Sequence, residues 1–205
     1  MSRHRTRSEG IRAEIAAAAA RIMAEDGIDD YALAKRKAAR QLGATDTHAL
    51  PGNDEIERAL RDYLSVYQSE EHPERVRELR ATALAVMREL EQFSPYLTGP
   101  VLKGLAGPYT GIELQLFPDS AKEVEIFLLN RDIPFESSDA RRYTGDRARS
   151  ATVLALDWAG VPVRLSVFDS RDERVTLKTS QAGKIIDRAA IAELTQLIAR
   201  EHGQP

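Results

Sequence analysis

Residues 96–117 read Y-L-T-G-P-V-L-K-G-L-A-G-P-Y-T-G-I-E-L-Q-L-F, with four glycines and two prolines set between two apolar ends. Glycine and proline are the strongest local punctuation a chain carries, so this density marks a tight functional loop or a connector. After Gly111 the pattern changes. Ile112, Leu114 and Leu116 alternate with Glu113 and Gln115, which predicts a strand with one buried and one polar face. Composition also shifts here, from Ala, Arg and Glu before Pro95 to Gly, Pro, Thr, Val and Leu after it. A boundary near Phe93 follows, with a helical region over 1–93 and an α+β domain over 94–205.

Upstream, Ile11, Ile15, Ala18 and Ile22 recur at helical spacing in an alanine-rich run that Gly27 stops. A second helix over 30–42 starts behind the capping candidates Asp29 and Asp30, ends at Gly43, and carries Lys35, Arg36, Lys37 and Arg40 outward. A third runs from Asn53 or Asp54 to about Ser69, with Ile56, Leu60, Tyr63 and Leu64 on one stripe. Pro73 opens a fourth in the first turn, where proline is tolerated. Over 74–92 the residues Val76, Leu79, Ala83, Val86, Met87 and Leu90 form the strongest helical periodicity in the chain. That stripe must bury itself, against another helix of the chain, against a protein partner, or in a homodimer.

Downstream of the loop, Asp119 or Ser120 caps a helix to Asn130, and Ile133 to Phe135 begins a strand. Residues 138–150 hold four arginines and almost nothing apolar, which predicts a solvated loop. Residues 152–158 and 161–168 are β-rich runs joined by Ala159 and Gly160, a hairpin signal. A two-residue turn there sets Asp157 opposite Pro162 and Ala155 opposite Arg164, so Asp157, Arg164 and Ser166 share one sheet face. A strand over 175–177 and a helix over 187–200 complete the chain.

The Gly99 to Leu116 segment resembles the signature of the nucleotidyltransferase-fold superfamily, in which a Gly-Ser turn opens a short helix, a second Gly follows, and a Ser-Asp-x-Asp strand presents two metal-binding carboxylates. Gly99 takes the first glycine's place, Gly104 the second, Thr110 the serine's, and residues 112–116 the carboxylate strand. The resemblance implies an α+β fold, a mixed sheet with helices on one face, and a ligand site formed by Gly99, Gly104, Thr110, Gln115 and Arg164. Pro100 and Gly111 replace the serine and the first carboxylate, and Glu113 keeps an acidic oxygen. Sliding the strand by two makes the pair Glu113 and Gln115. The third family carboxylate falls on Arg164. Nucleotidyl transfer uses two hard cations held by carboxylates to stabilise the attacking and leaving oxygens. The donor set implied here is degenerate, which points to a non-catalytic binding or regulatory protein for a nucleotide or phosphate ligand. The alternative is an active enzyme that uses Glu113 and Asp157 with Mg²⁺ and a nucleoside triphosphate.

Residues 17–27, A-A-A-A-R-I-M-A-E-D-G, also resemble the opening helix of tetracycline-repressor-type regulators, which implies a helical DNA-binding protein with a C-terminal sensing domain. That architecture needs a recognition helix three or four residues after the second helix. Here A-T-D-T-H-A-L-P-G-N follows Gly43 instead.

The 205 residues, 42% hydrophobic and 30% charged, are enough for one full core or two small ones. A net charge of -3 gives no global case for nucleic acid, with only M-S-R-H-R-T-R forming a local basic tail. Cysteine is absent, which excludes disulfides, thiolate metal sites and cysteine nucleophiles. No apolar run reaches membrane-spanning length and no signal-like core follows the basic start, so a cytoplasmic protein is expected. The four histidines, His4, His48, His72 and His202, are too scattered for a triad or a metal cluster.

Overall fold

Alanine decides the first half of the chain. Small side chains at Ala16, Ala19, Ala20 and Ala24 of α1 (Ser2–Asp26) and at Ala34, Ala38 and Ala39 of α2 (Tyr31–Gln41) are buried with Ile15, Ile22, Ile56, Leu60 and Leu64, the last three from α3 (Asn53–Tyr67). Asp30 caps α2, its side chain accepting from the Ala32 and Leu33 amides at 2.7 and 3.1 Å. The Arg12 guanidinium, from α1, grips the Glu55 carboxylate of α3 at 2.6–2.9 Å, and Glu55 also accepts from the Gly52 amide at 2.6 Å. That second bond is one half of a capping box, in which the third helical residue reaches back to the helix start.

The computed structural model describes residues 2–28, 30–44, 50–67, 71–144, 147–178 and 185–202, with the side chains of 2–8, 71, 142, 144, 147 and 202 left aside. Asp29, residues 45–49 of the expected loop after Gly43, and the expected helix end at Ser69 lie outside the described residues.

The chain is an α+β protein with a six-stranded mixed sheet. Two compact units divide it, Met1–Arg75 with Leu105–Thr110, and Val76–Gly104 with Gly111–Pro205. Composition changes near Phe93, whereas packing divides the chain inside α4 (Glu71–Glu89) and returns residues 105–110 to the helical unit, where Leu105 joins the core. Val76, Leu79, Ala83, Val86, Met87 and Leu90 are all buried within the chain. Of the three ways to bury the stripe, packing within the chain is the one these residues use.

The sheet runs in the order β3-β4-β5-β2-β1-β6, from β1 (Tyr96–Thr98), β2 (Ile112–Leu116), β3 (Phe135–Thr144), β4 (Arg147–Trp158), β5 (Val161–Val167) and β6 (Ala189–Ala190). β2 and β5 are parallel and the other neighbours antiparallel. Between β1 and β2 sits the short α5 (Gly99–Lys103). α6 (Ala121–Leu129) is capped by Ser120, and α7 (Ile191–His202) ends the described chain. Ile112, Leu114 and Leu116 share the buried face with Val163, Leu165 and Val167 and with Leu154 and Leu156.

Two sequence expectations fail. Residues 138–150 belong to a hairpin in continuous register from Phe135↔Leu156 to Thr144↔Arg147. Backbone pairing carries such a ribbon even where neither face is apolar, and the Gly145-Asp146 pair is a hairpin-turn signal that the arginine content masked. Residues 175–177 form no strand; isolated bridges from Lys178 to Tyr143 and to Ile185 follow them.

Candidate functional site

The polar face of the sheet gathers most of the residues singled out from sequence. Register sets Glu113 directly beside Arg164 and Gln115 beside Ser166 across the parallel β2–β5 pair. Asp157 lies opposite Pro162 and Ala155 opposite Arg164 across β4–β5, as the two-residue turn requires. Ala159 and Gly160 both take positive φ, +52° and +85°, the geometry of a type I′ turn. The Asp157 carboxylate accepts from the Gly160 amide at 2.7 Å, so this acid serves the turn.

Thr98 pairs with Glu113 on the other side, donating its hydroxyl to the Glu113 carbonyl at 3.2 Å. Gly99 follows with φ +72°, and a Cβ there would come within 2.8 Å of Glu113 Oε2. The glutamate therefore rests against a glycine that opens α5, which is why a larger residue does not fit. Gly111 is bare for another reason: a Cβ would meet the Pro162 carbonyl oxygen at 2.7 Å.

Openness changes along this face. Arg164 and Asp157 are exposed, Glu113 is half-buried, and Gln115 and Ser166 are buried. The Gln115 Oε1 is enclosed and has no hydrogen-bond partner among the described residues. Beyond it the Phe117 and Phe168 rings stack at 5.6 Å, and the Arg188 guanidinium lies 4.5 Å from the Tyr96 ring centre. Burial pushes the Tyr96 phenol pKa up, helped by its hydrogen bond to Glu173 at 3.0 Å.

The remaining sequence candidates have structural duties. Gly104 ends α5 in the left-handed region, φ +67°, as a glycine past a helix commonly does. Thr110 belongs to the helical unit, where its hydroxyl oxygen accepts from the Gly107 amide at 2.9 Å.

Sequence inspection missed Arg80. It is buried in α4, donates to the Val101 and Leu102 carbonyls at 3.0 and 2.7 Å, and pairs with Glu201 of α7. Those carbonyls lie in the last turn of α5, so Arg80 holds the short helix that Gly99 opens. A cation four residues after Val76, on the buried stripe, was the available signal.

Divalent metal chemistry fits this donor set poorly. Among the described residues no three His, Cys, Asp or Glu side chains group to hold a metal ion. Asp157 and Glu113 are separated by β5 and offset by two residues along it, about 12 Å at ordinary strand spacing and rise, with Arg164 on the intervening strand. Two carboxylates so far apart, with a guanidinium between them, do not form a two-cation centre.

No helix among the described residues is long and apolar enough to cross a membrane. No family model matches the sequence, and no curated protein matches it either, so the chemistry has to be argued from the side chains themselves.

Proposed function

We propose that this chain is a nucleotidyltransferase-like protein that holds a phosphate-bearing ligand of the nucleotide class on its polar sheet face, in a binding or regulatory role without two-metal transfer. Support comes from one observation above all, the direct pairing of Glu113 with Arg164 on parallel strands. Arg164 occupies the position where a transferase would need its third acid. A guanidinium there presents forked N–H donors to phosphate oxygens and supplies the positive charge that a cation would otherwise bring. Glu113 beside it accepts from ligand hydroxyl or amino groups and sets their orientation. Transfer itself has no support in the donor set, since Gly111 is crowded by the Pro162 backbone and Asp157 caps its turn.

Calorimetry with ATP, GTP and pyrophosphate in the presence of a chelator tests this. Binding is expected for at least one of them, and Arg164→Ala should weaken it roughly ten-fold or more, the usual value of a charge-assisted hydrogen bond. Unchanged affinity in the variant would remove the proposal. Mg²⁺-dependent turnover of ATP or GTP would instead favour an active transferase built on Glu113 and Asp157.

A further inference from the structure

The closed end of the polar face holds two hydrogen-bonding atoms that nothing answers. Gln115 is 4% exposed, and its Oε1 is enclosed without a partner among the described residues. Nη1 of Arg188 is enclosed in the same way, while Nη2 of that residue donates to the Glu173 carbonyl. Both belong to one neighbourhood. Tyr96 is the cross-strand partner of Gln115 in the β1–β2 pair, and the Arg188 guanidinium lies 4.5 Å from the Tyr96 ring centre and 5.4 Å from that of Phe117. Leaving a buried donor or acceptor unpaired is costly and rare, so a stranded acceptor and a stranded donor around one ring point to a group that serves both.

Their chemistry narrows what that group is. An anion would satisfy Arg188 and repel the Gln115 amide oxygen, and a cation would do the reverse. A neutral group with an N–H donor next to a carbonyl acceptor satisfies both. Shape adds a second restriction. The Tyr96 and Phe117 rings meet edge to face at 5.7 Å, Phe117 stacks on Phe168, and the flat guanidinium lies over the first two, a surface on which a planar ring also packs well. Position adds a third. Gln115 is one same-face step from Glu113, about 7 Å along the strand, and Glu113 is directly beside Arg164.

We propose that this closed end receives the nucleobase of the ligand whose phosphate Arg164 holds, and that it selects a base with a lactam edge, guanine above all. The inference rests on the binding role proposed above and names the ligand of that same face. Arg188 is the movable part, because it stands on irregular backbone just ahead of β6 and covers the rings with its side chain. With the base in the guanidinium's place over Tyr96, a base N–H donates to Gln115 Oε1. The base carbonyl then accepts from Arg188 Nη1, the pairing arginine commonly makes with guanine O6. Adenine has no carbonyl oxygen and offers the guanidinium only a ring nitrogen. Uracil has the edge but covers less of the rings.

Calorimetry on the full chain with GTP, ITP, ATP and pyrophosphate, in the presence of a chelator, tests it. ITP keeps the lactam edge of guanine, so GTP and ITP are both expected to bind about ten-fold or more tighter than ATP and pyrophosphate. Gln115→Met removes the enclosed acceptor and keeps the length of the side chain, so its thermal midpoint should hold or rise while the preference for GTP over ATP shrinks to about two-fold or less. A lower midpoint would show that Gln115 is satisfied in the parent chain and would count against the pocket. If pyrophosphate and all three triphosphates fail to bind, the phosphate role of the face falls and the base pocket with it. If they bind, Arg164→Ala weakens them, and affinity is the same for every base, the phosphate role stands and the base pocket alone falls. ATP binding tighter than GTP, or a Gln115→Met variant that keeps the GTP preference, would also overturn it.

Discussion

Gly111 has no room for a side chain. The Pro162 carbonyl oxygen would stand 2.7 Å from a Cβ, and the Pro162 Cβ 3.2 Å from it. Gly111→Asp should therefore cost about 1–3 kcal/mol, the range for overpacking a tight site, and should restore no Mg²⁺-dependent transfer. Chemical denaturation followed by fluorescence of Trp158, the chain's one tryptophan, reads the first effect and ATP turnover the second. A stable variant that gains metal-dependent activity would overturn both expectations. From sequence, the polar side of residues 112–116 could be read directly because alternation is a local property. The crowding at Gly111 could not, since it arises from a strand fifty positions further along. Asp157 is a similar case: its place opposite Pro162 followed from the turn, but its service to the Gly160 amide required coordinates.

Individual helices carry their own consequences. Glu55 is held below the ordinary carboxylate range, first by the Arg12 guanidinium and then by the Gly52 amide. Glu25 is lowered too, chiefly by the Tyr63 hydroxyl and then by Arg21. A depressed folded-state pKa contributes stability that is present above the unfolded value, about 4.3 for glutamate, and is lost as pH falls through the folded one. The helical unit should thus lose stability below about pH 4 to 5. Glu55→Gln should flatten that loss and lower stability at neutral pH by about 1 kcal/mol, the worth of a helix cap, since solvent screens the ion pair. Far-UV circular dichroism across pH measures both, and an unaltered acid limb in the variant would count against the assignment. Arg80 is the corresponding test for the sheet unit. Arg80→Ala strands Glu201 and removes the donors to Val101 and Leu102, so a loss of about 3–5 kcal/mol is expected, again read from Trp158; a loss below about 1 kcal/mol would mean the pair is not important. The helices themselves were legible through spacing and caps. The hairpin at 138–150 was not, because charge content says what a strand faces and nothing about whether its backbone is paired.

For the molecule as a whole, class was legible before topology. Helical periodicity ahead of alternating segments gives an α+β protein, and the Ala159-Gly160 turn gives one strand pairing with its register. Strand order does not follow from either. β1 and β6 are three and two residues long, too short to show any period, and the β2–β5 neighbourhood joins segments with the whole α6 and β3–β4 stretch between them. Packing also takes residues 105–110 out of the glycine-rich 96–117 stretch and gives them to the helical unit, which composition alone does not announce.

That parallel neighbourhood bears on how the chain can be made. During synthesis β2 meets β1 early, but its other edge stays open until β5 has left the ribosome, a long delay for an apolar segment. Ile112 to Leu116 is then the part most in need of a chaperone, and any truncation ahead of Val161 leaves it permanently exposed as an aggregation seed.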